Sequence, residues 1–317
     1  MLAPLAAGGR RDHAVIRLSS RTLAYARLLR LPNVFTAPAD IGLGLLAAGG
    51  AVPWPAAALL CVSSAALYCG GMVWNDYFDL EQDRRERPFR PLPSGAVTLA
   101  AAMQLGVALL AGGWLAAALA GFRGHGFDPT PAVVAGLLVA AILLYDRWLK
   151  RTSAGPVGMG MCRFLNVLLG CSVAGDAVPW GLRLHLAGVV GLYIVGVTWF
   201  ARSEARQSEA HQLRRAAGVM AAALALALPL PLHLPDGTAS PLFPYLLVVF
   251  GFVIGIPAGR AWVKPEPARV QAAVKRAVLG LIVLDAVLAT AVAGAGGLVL
   301  LALLPPALVL GQWLYST

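Results

Sequence analysis

The sequence predicts an all-α, polytopic membrane protein, and three observations carry that reading. Hydrophobic residues make up 59% of the chain and charged ones 13%, with a mean hydropathy of +0.74. Long stretches carry no formal charge, residues 99–122 and 216–235 among them. Each is long enough to cross about 30 Å of hydrocarbon, which takes roughly 20 helical residues. The basic residues are also unevenly placed: 22 of the 25 lie before the first apolar segment or in alternate connections between segments. A soluble domain of this composition would expose far too much apolar surface.

Ten apolar segments follow in order, at 33–50, 54–74, 99–121, 131–148, 155–175, 184–201, 211–232, 245–262, 274–293 and 297–314. The first follows Arg10, Arg11, Arg17, Arg21, Arg27 and Arg30. The connections after the second, fourth, sixth and eighth segments carry Arg84–Arg90, Arg147–Arg151, Arg202–Arg215 and Arg260–Arg276, whereas the opposite connections hold only Arg123 and Arg183. Positive charge marks the cytoplasmic side, so the basic segment 1–30 and the even-numbered connections are expected in the cytoplasm, at the inner membrane. The tenth segment contains Pro305-Pro306, which should kink or break it, so nine or ten helices are expected. The 233–241 loop and the Pro265-Glu266-Pro267 turn read as connections, which leaves a single integral-membrane domain over 1–317.

The net charge of +10 is therefore a topology signal, strengthened by anionic lipid headgroups, and no nucleic-acid partner is expected. Cys61, Cys69, Cys162 and Cys171 all fall inside apolar segments with no CxxC spacing, and the five histidines are scattered. They read as packing residues; no haem or zinc site is expected.

The chemistry is concentrated in residues 75–95, NDYFDLEQDRRERPFRPLPSG. A third of all acidic residues lie between Asp76 and Glu86, at the end of an apolar segment where charge is expensive. If the second segment stays helical past Trp74, Asn75, Asp79 and Asp83 fall at i, i+4, i+8, and Asp76 joins the same face. Carboxylates sharing a face repel unless a cation joins them, and hard oxygen ligands favour Mg²⁺. The three prolines that follow stiffen the chain and would hold Arg87 and Arg90 beside the metal. Carboxylates for Mg²⁺ next to guanidinium groups make a receptor for a diphosphate. The alternative is a solvated loop whose acids and bases pair with one another.

The spacing Asn75-Asp76-x-x-Asp79-x-x-x-Asp83, followed by Arg90-Pro91-Leu92-Pro93-Ser94-Gly95, resembles the first Asp-rich motif of the UbiA superfamily of intramembrane prenyltransferases. Its loop length is similar to that of chlorophyll synthases. Arg30-Leu31-Pro32-Asn33 resembles the family's entry into its first helix, and Tyr145 and Lys150 resemble its Tyr and Lys ahead of the fifth. The resemblance implies nine helices around a central cavity, with Asp-rich motifs at its cytoplasmic mouth. It implies Mg²⁺-dependent transfer of a polyprenyl group from its diphosphate to a lipophilic, typically aromatic, acceptor. Asn75, Asp79 and Asp83 match metal-ligand positions; Asp76 matches an acid less securely a direct ligand.

The second motif departs from the family pattern. In Val197-Thr198-Trp199-Phe200-Ala201-Arg202-Ser203-Glu204, Glu204 stands for the last acid and Val197 occupies the place of the first. Glu209 is a weaker candidate. Arg202 is an added base, read as replacing part of a second metal's charge or as capping the helix end. With Met161-Cys162-Arg163-Phe164-Leu165-Asn166, this set looks most like the EboC group of the superfamily. Arg163 is the one base deep in a segment, where a charge costs about 3 kcal/mol and needs a partner. Arg163 and Asn166 share a face, read as substrate-lining with Asn33, or as a structural pair with Asp40 or Asp285, which are otherwise assigned to helix–helix hydrogen bonding. Diphosphate neutralisation would come from Mg²⁺, Arg87, Arg90, Lys150 and Arg202, with Tyr145 as a cavity aromatic, Asp76 as proton acceptor, and Trp148 and Trp199 in the interfacial belt. The competing functional reading is a lipid or small-molecule transporter, or a scaffold, that keeps the fold without prenyl transfer.

Overall fold

The computed structural model describes residues 20–49, 52–124, 126–202, 210–235 and 238–315. The chain enters through α1 (Ser20–Leu28) and a single turn, α2 (Leu31–Val34). Between them Arg30 adopts a left-handed backbone, φ 49° and ψ 46°. α3 (Thr36–Ala47) follows after Phe35, so the first expected segment is a short turn and a longer helix instead of one rod. Proline 32 occupies the first turn of α2, where its missing N–H has no helical partner to lose.

α4 (Trp54–Phe78) runs past Trp74 as expected, and α5 (Leu80–Glu86) starts after a break at Asp79. α6 (Leu99–Ala120) is capped by Thr98, whose hydroxyl oxygen accepts from the Ala101 N–H at 3.3 Å. A two-residue hairpin, β1 (Phe122–Arg123) with β2 (Gly126–Phe127), leads to α7 (Thr130–Arg147). A 3₁₀ turn at Leu149–Arg151 then connects to α8 (Gly155–Cys171). α9 (Trp180–Arg202), α10 (Ala210–Ala227), α11 (Leu242–Val263) and α12 (Pro267–Ala293) complete the bundle with α13 (Leu304–Tyr315). The expected break in the tenth segment lies elsewhere. Gly294–Leu303 is 3₁₀, and Pro305-Pro306 falls in the first turn of α13, where proline starts a helix instead of breaking one.

Among the described residues, six helical stretches are long and apolar enough to cross a membrane: Trp54–Phe78, Leu99–Ala120, Thr130–Arg151, Trp180–Arg202, Leu242–Val263 and Pro267–Leu314. The chain is an integral membrane protein. Lipid removes most of the hydrophobic drive for helices to associate, so close packing and buried polar contacts must hold them together. Both are present. α3 crosses α8 at Gly44 and Gly170, where a side chain on either would strike the other helix's backbone. One core layer joins α8 to α12 around Tyr193, Phe200, Phe243 and Phe250; another, around Ile41, Leu60, Leu138 and Leu169, joins α3, α4, α7 and α8. The second layer surrounds the cavity that carries the chemistry.

Candidate functional site

The break at Asp79 divides the acidic run. Asp79 takes φ −94° and ψ 2°, away from helical values, so α5 is not a straight continuation of α4. Asp76 and Asp83 stay on one side and share Arg90, whose Nη1 donates to Asp83 Oδ2 at 2.7 Å and to Asp76 Oδ1 at 3.5 Å. Arg30 Nη2 also donates to Asp76 Oδ1, at 3.0 Å. Asp79 turns the other way, to Lys150 Nζ at 2.7 Å and Arg151 at 3.6 Å. The single shared face expected from i, i+4, i+8 spacing is therefore split in two. Among the described residues no three His, Cys, Asp or Glu side chains converge as a metal cage. The cause is electrostatic as well as geometric: Asp76 and Asp83 are only 5% and 4% exposed at the side chain, and carboxylates so buried need counter-charge, here supplied by guanidinium groups. The donor set, all hard oxygens and one amide, still suits Mg²⁺.

Outside this cluster, Glu81 pairs with Arg85 and Arg84 in solvent. The Arg85 hydrogen bond holds its carboxyl below the usual range, and it takes no part in the site.

Asn75 links the acids to the interior. Its Nδ2 donates to Asp146 Oδ1 at 2.8 Å, and its backbone carbonyl accepts from Lys150 Nζ at 3.2 Å. Asp146 and Tyr145 stand at one end of a narrow cavity of about 70 Å³ between α3, α4, α7 and α8; Ser64, Arg163 and Asn166 stand at the other. Tyr145 lines this cavity. Asp146 was legible only as an acid one residue after Tyr145 and four before Lys150, a weak signal beside three bases. Arg163 meets both of its alternatives at once. It lines the cavity, and it donates to Asp40 Oδ2 at 3.1 Å and to Thr36 Oγ1 at 2.8 Å. Asn166 Nδ2 donates to the same Asp40 oxygen at 2.8 Å, and its Oδ1 accepts from the Ser64 hydroxyl at 2.8 Å. Asp285 on α12 is fully buried with its carboxyl beside that of Asp40 on α3, a helix–helix pair that one shared proton would join by a hydrogen bond.

Of the second-motif residues, neither Val197 nor Arg202 lines this cavity. Val197 is buried in an apolar layer with Met220, Ile254 and Ala277. Glu204 and Glu209 lie outside the described residues. Arg202 donates to the backbone carbonyls of Lys150 and Thr152, the latter at 2.7 Å. This corrects the reading in which Arg202 faces a diphosphate: it serves the Lys150 carbonyl of the 3₁₀ turn and shares the Thr152 carbonyl with the Gly155 N–H. Trp148 is exposed, as a belt residue should be, whereas Trp199 is half-buried against the core. Asn33 and Arg87 do not meet the cavity either. With Arg27, Arg30, Asp76 and Arg90 they line a separate basin of about 580 Å³ on the far side of the acidic run.

Residues 35–279 match the UbiA prenyltransferase family. The chain belongs to that family. A digeranylgeranylglyceryl phosphate synthase of Halobacterium salinarum is 33% identical over 269 residues, covering 78% of this UbiA-family chain and 91% of the relative. Among solved structures, one of a digeranylgeranylglyceryl phosphate synthase superposes with TM-score 0.64 at 20% identity, over 86% of this chain and 99% of that one. An apo UbiA homologue from Aeropyrum pernix K1 gives 0.61 at 21% identity, over 80% and 96%. A UbiA homologue from Archaeoglobus fulgidus, bound to GPP and Mg²⁺, gives 0.58 at 15% identity, over 81% and 99%. The structural likenesses show a shared fold.

Proposed function

We propose that the protein transfers a prenyl group from an allylic diphosphate to a lipophilic acceptor within the membrane, with Mg²⁺ as cofactor. The observation that carries this reading is the Asn75–Asp146 hydrogen bond, which joins the acidic run, paired with Lys150, Arg90 and Arg30, to the lining of the Tyr145–Arg163 cavity. An A. fulgidus homologue is bound to GPP and Mg²⁺, and carboxylate and amide oxygens that suit that ion stand in this acidic run. The ligands we assign are Asn75, Asp79 and Asp83, with Glu204 as a candidate from the second motif. Bound there, Mg²⁺ would neutralise the departing diphosphate.

The chain's own residues do the rest. Lys150 and Arg90, displaced from their carboxylates, and Arg87 beside them, turn to the diphosphate oxygens. Arg202 acts at one remove, holding the turn that carries Lys150. The prenyl chain enters the apolar cavity past Tyr145, which excludes water from the allylic cation. The C1–O bond breaks and its electron pair leaves with the diphosphate; the acceptor attacks C1, and its proton passes to Asp76 or to Asp146 in the cavity lining. The H. salinarum relative is a digeranylgeranylglyceryl phosphate synthase, which favours a glyceryl phosphate lipid over an aromatic acceptor. The topology we assign has nine or ten crossings of the inner membrane in one domain, with the acidic mouth cytoplasmic, on the strength of the charge asymmetry.

The test is purified protein in nanodiscs with radiolabelled geranylgeranyl diphosphate, Mg²⁺, and parallel aromatic and glyceryl phosphate acceptors. A prenylated product and free diphosphate are expected, both lost in Asp79→Ala/Asp83→Ala. Binding without turnover for every acceptor would favour the transporter.

A further inference from the structure

We propose that the cavity between α3, α4, α7 and α8 limits the length of donor it accepts, so that the protein takes a geranyl diphosphate in preference to a geranylgeranyl one. The proposal rests on the prenyl-transfer reading and adds to it the substrate class and the residues that select it.

The depth of the cavity is set by its helices. Its lining runs from Met72 to Ser64 on α4 and from Asp146 to Leu138 on α7, eight helical steps on each. At about 1.5 Å per step, both helices give a depth of about 12 Å. An extended hydrocarbon chain gains about 1.2 Å per bond and about 5 Å per four-bond isoprene unit, so two units fit this depth and four do not. The far end is closed. Leu60, Ala135 and Leu169 follow one helical turn beyond Ser64, Leu138 and Asn166, and all three are 0% exposed. Nor is there width for a chain to fold back: the volume is about 70 Å³, whereas about 150 Å³ is a cavity that holds one benzene. Met72 and Met159 in the wall, flexible thioethers, must swing aside even for the shorter chain.

The floor of the cavity does not yield as an apolar one would. The Ser64 hydroxyl donates to Asn166 Oδ1 at 2.8 Å, and Asn166 Nδ2 donates to the Ala37 carbonyl at 2.9 Å and to Asp40 at 2.8 Å. These bonds tie α4, α8 and α3 together, and Arg163 is held to the same Asp40. A longer chain must part them in an apolar interior and leave polar groups unsatisfied. Higher in the wall stands a gauge. Gly71 lies one turn below Asn75, and Ile142 one turn below Asp146; a methyl on Gly71 would come within 3.1 Å of Ile142 Cγ2. The missing side chain at Gly71 is the clearance through which a second isoprene unit passes.

Two substitutions move the limit in opposite directions. Gly71→Val closes the gap to Ile142 and leaves room for a dimethylallyl group. Leu138→Ala deepens the floor without touching its hydrogen bonds. In nanodiscs with Mg²⁺ and parallel aromatic and glyceryl phosphate acceptors, kcat/KM is measured for dimethylallyl, geranyl and geranylgeranyl diphosphate. Wild type should favour geranyl over geranylgeranyl by about tenfold or more, the equivalent of one lost hydrogen bond, with the longer donor reacting more slowly. Gly71→Val should turn the preference towards dimethylallyl by a similar factor, and Leu138→Ala should narrow the gap between geranyl and geranylgeranyl. Ratios between donors within one variant are unaffected by a loss of folded protein. Equilibrium binding of the three radiolabelled diphosphates with Mg²⁺ and no acceptor reads the same ranking even if no acceptor turns over, so failure of the transfer reading is seen separately. Geranylgeranyl diphosphate bound and used as well as geranyl by the wild type would overturn the proposal. So would a ranking that neither variant moves, which would mean that the chain leaves sideways between helices into lipid.

Discussion

Replacing Arg90 with methionine tests whether arginine stands in for a metal ion at the acidic run. The side chain is 21% exposed and holds Asp83, itself 4% exposed, at 2.7 Å; its 3.5 Å approach to Asp76 adds little because Arg30 also serves that acid. Removing one partner of a buried pair costs about 3–5 kcal/mol, and partial exposure of Arg90 puts this case near the lower end, about 3 kcal/mol. At about 2–4 °C per kcal/mol, the apparent melting temperature should fall by roughly 6 °C or more. Divalent cation should repair part of the loss, since Asp83 then has a vacancy that Mg²⁺ can fill. With 10 mM Mg²⁺ and a dissociation constant of about 1 mM, the gain is about 1.4 kcal/mol, or roughly 3 °C. Wild type, with Arg90 competing, should gain less. Intrinsic-fluorescence melting in detergent at fixed scan rate, with and without Mg²⁺, reads both quantities. An equal Mg²⁺ response in wild type and Arg90→Met would refute the exchange of arginine for metal. So would an unchanged response in Arg90→Met/Asp83→Asn, which removes the vacant carboxylate.

Other outcomes follow from the same geometry. Arg202→Gln frees the Lys150 and Thr152 carbonyls and should lower kcat several-fold while leaving the helical circular dichroism intact; an unchanged kcat would show that the turn needs no such clamp. Asp146→Leu leaves the Asn75 amide without its acceptor and should cost about 1–3 kcal/mol of stability together with most of the activity, read by melting and product formation. Arg163→Met strands the fully buried Asp40 and should destabilise by about 3–5 kcal/mol; Asp40→Leu/Arg163→Met should recover most of that in a double-mutant cycle, and additive losses would deny the pairing. Gly44→Ala drives a methyl into the Gly170 backbone and should cost about 1–3 kcal/mol or more, measured as a fall in melting temperature.

The membrane helices were legible because length and missing charge are local properties, and the six long stretches fall on expected segments. The acids at 76–83 were legible for the same reason: charge at the end of an apolar run is visible in one dimension. Their division was not. Asp79 breaks the helix, and its partners, Lys150 and Arg151, come from a turn some seventy residues away. Arg163 needed a partner by its depth alone, and two acids were available; only the crossing of α3 over α8 selects Asp40. Asp146 stood among Arg147, Lys150 and Arg151, where an acid reads as an ordinary surface charge, and its burial depends on Asn75 packing across from it. Arg202 looked functional because it sits in the place of a motif, whereas the Lys150 and Thr152 carbonyls of the neighbouring turn claim it.

The bond between Asp40 and Arg163 also has a bearing on biogenesis. α3 leaves the ribosome 123 residues before its arginine partner is made, carrying a carboxylate that costs about 2.5–3.5 kcal/mol at the centre of a lone helix. Until α8 arrives, that early segment has reason to linger near an aqueous or chaperoned path instead of settling among lipids. Final seating of the amino-terminal half is thus tied to synthesis of the middle of the chain, and chains truncated before Arg163 should leave α3 open to water-soluble thiol labelling at an introduced cysteine.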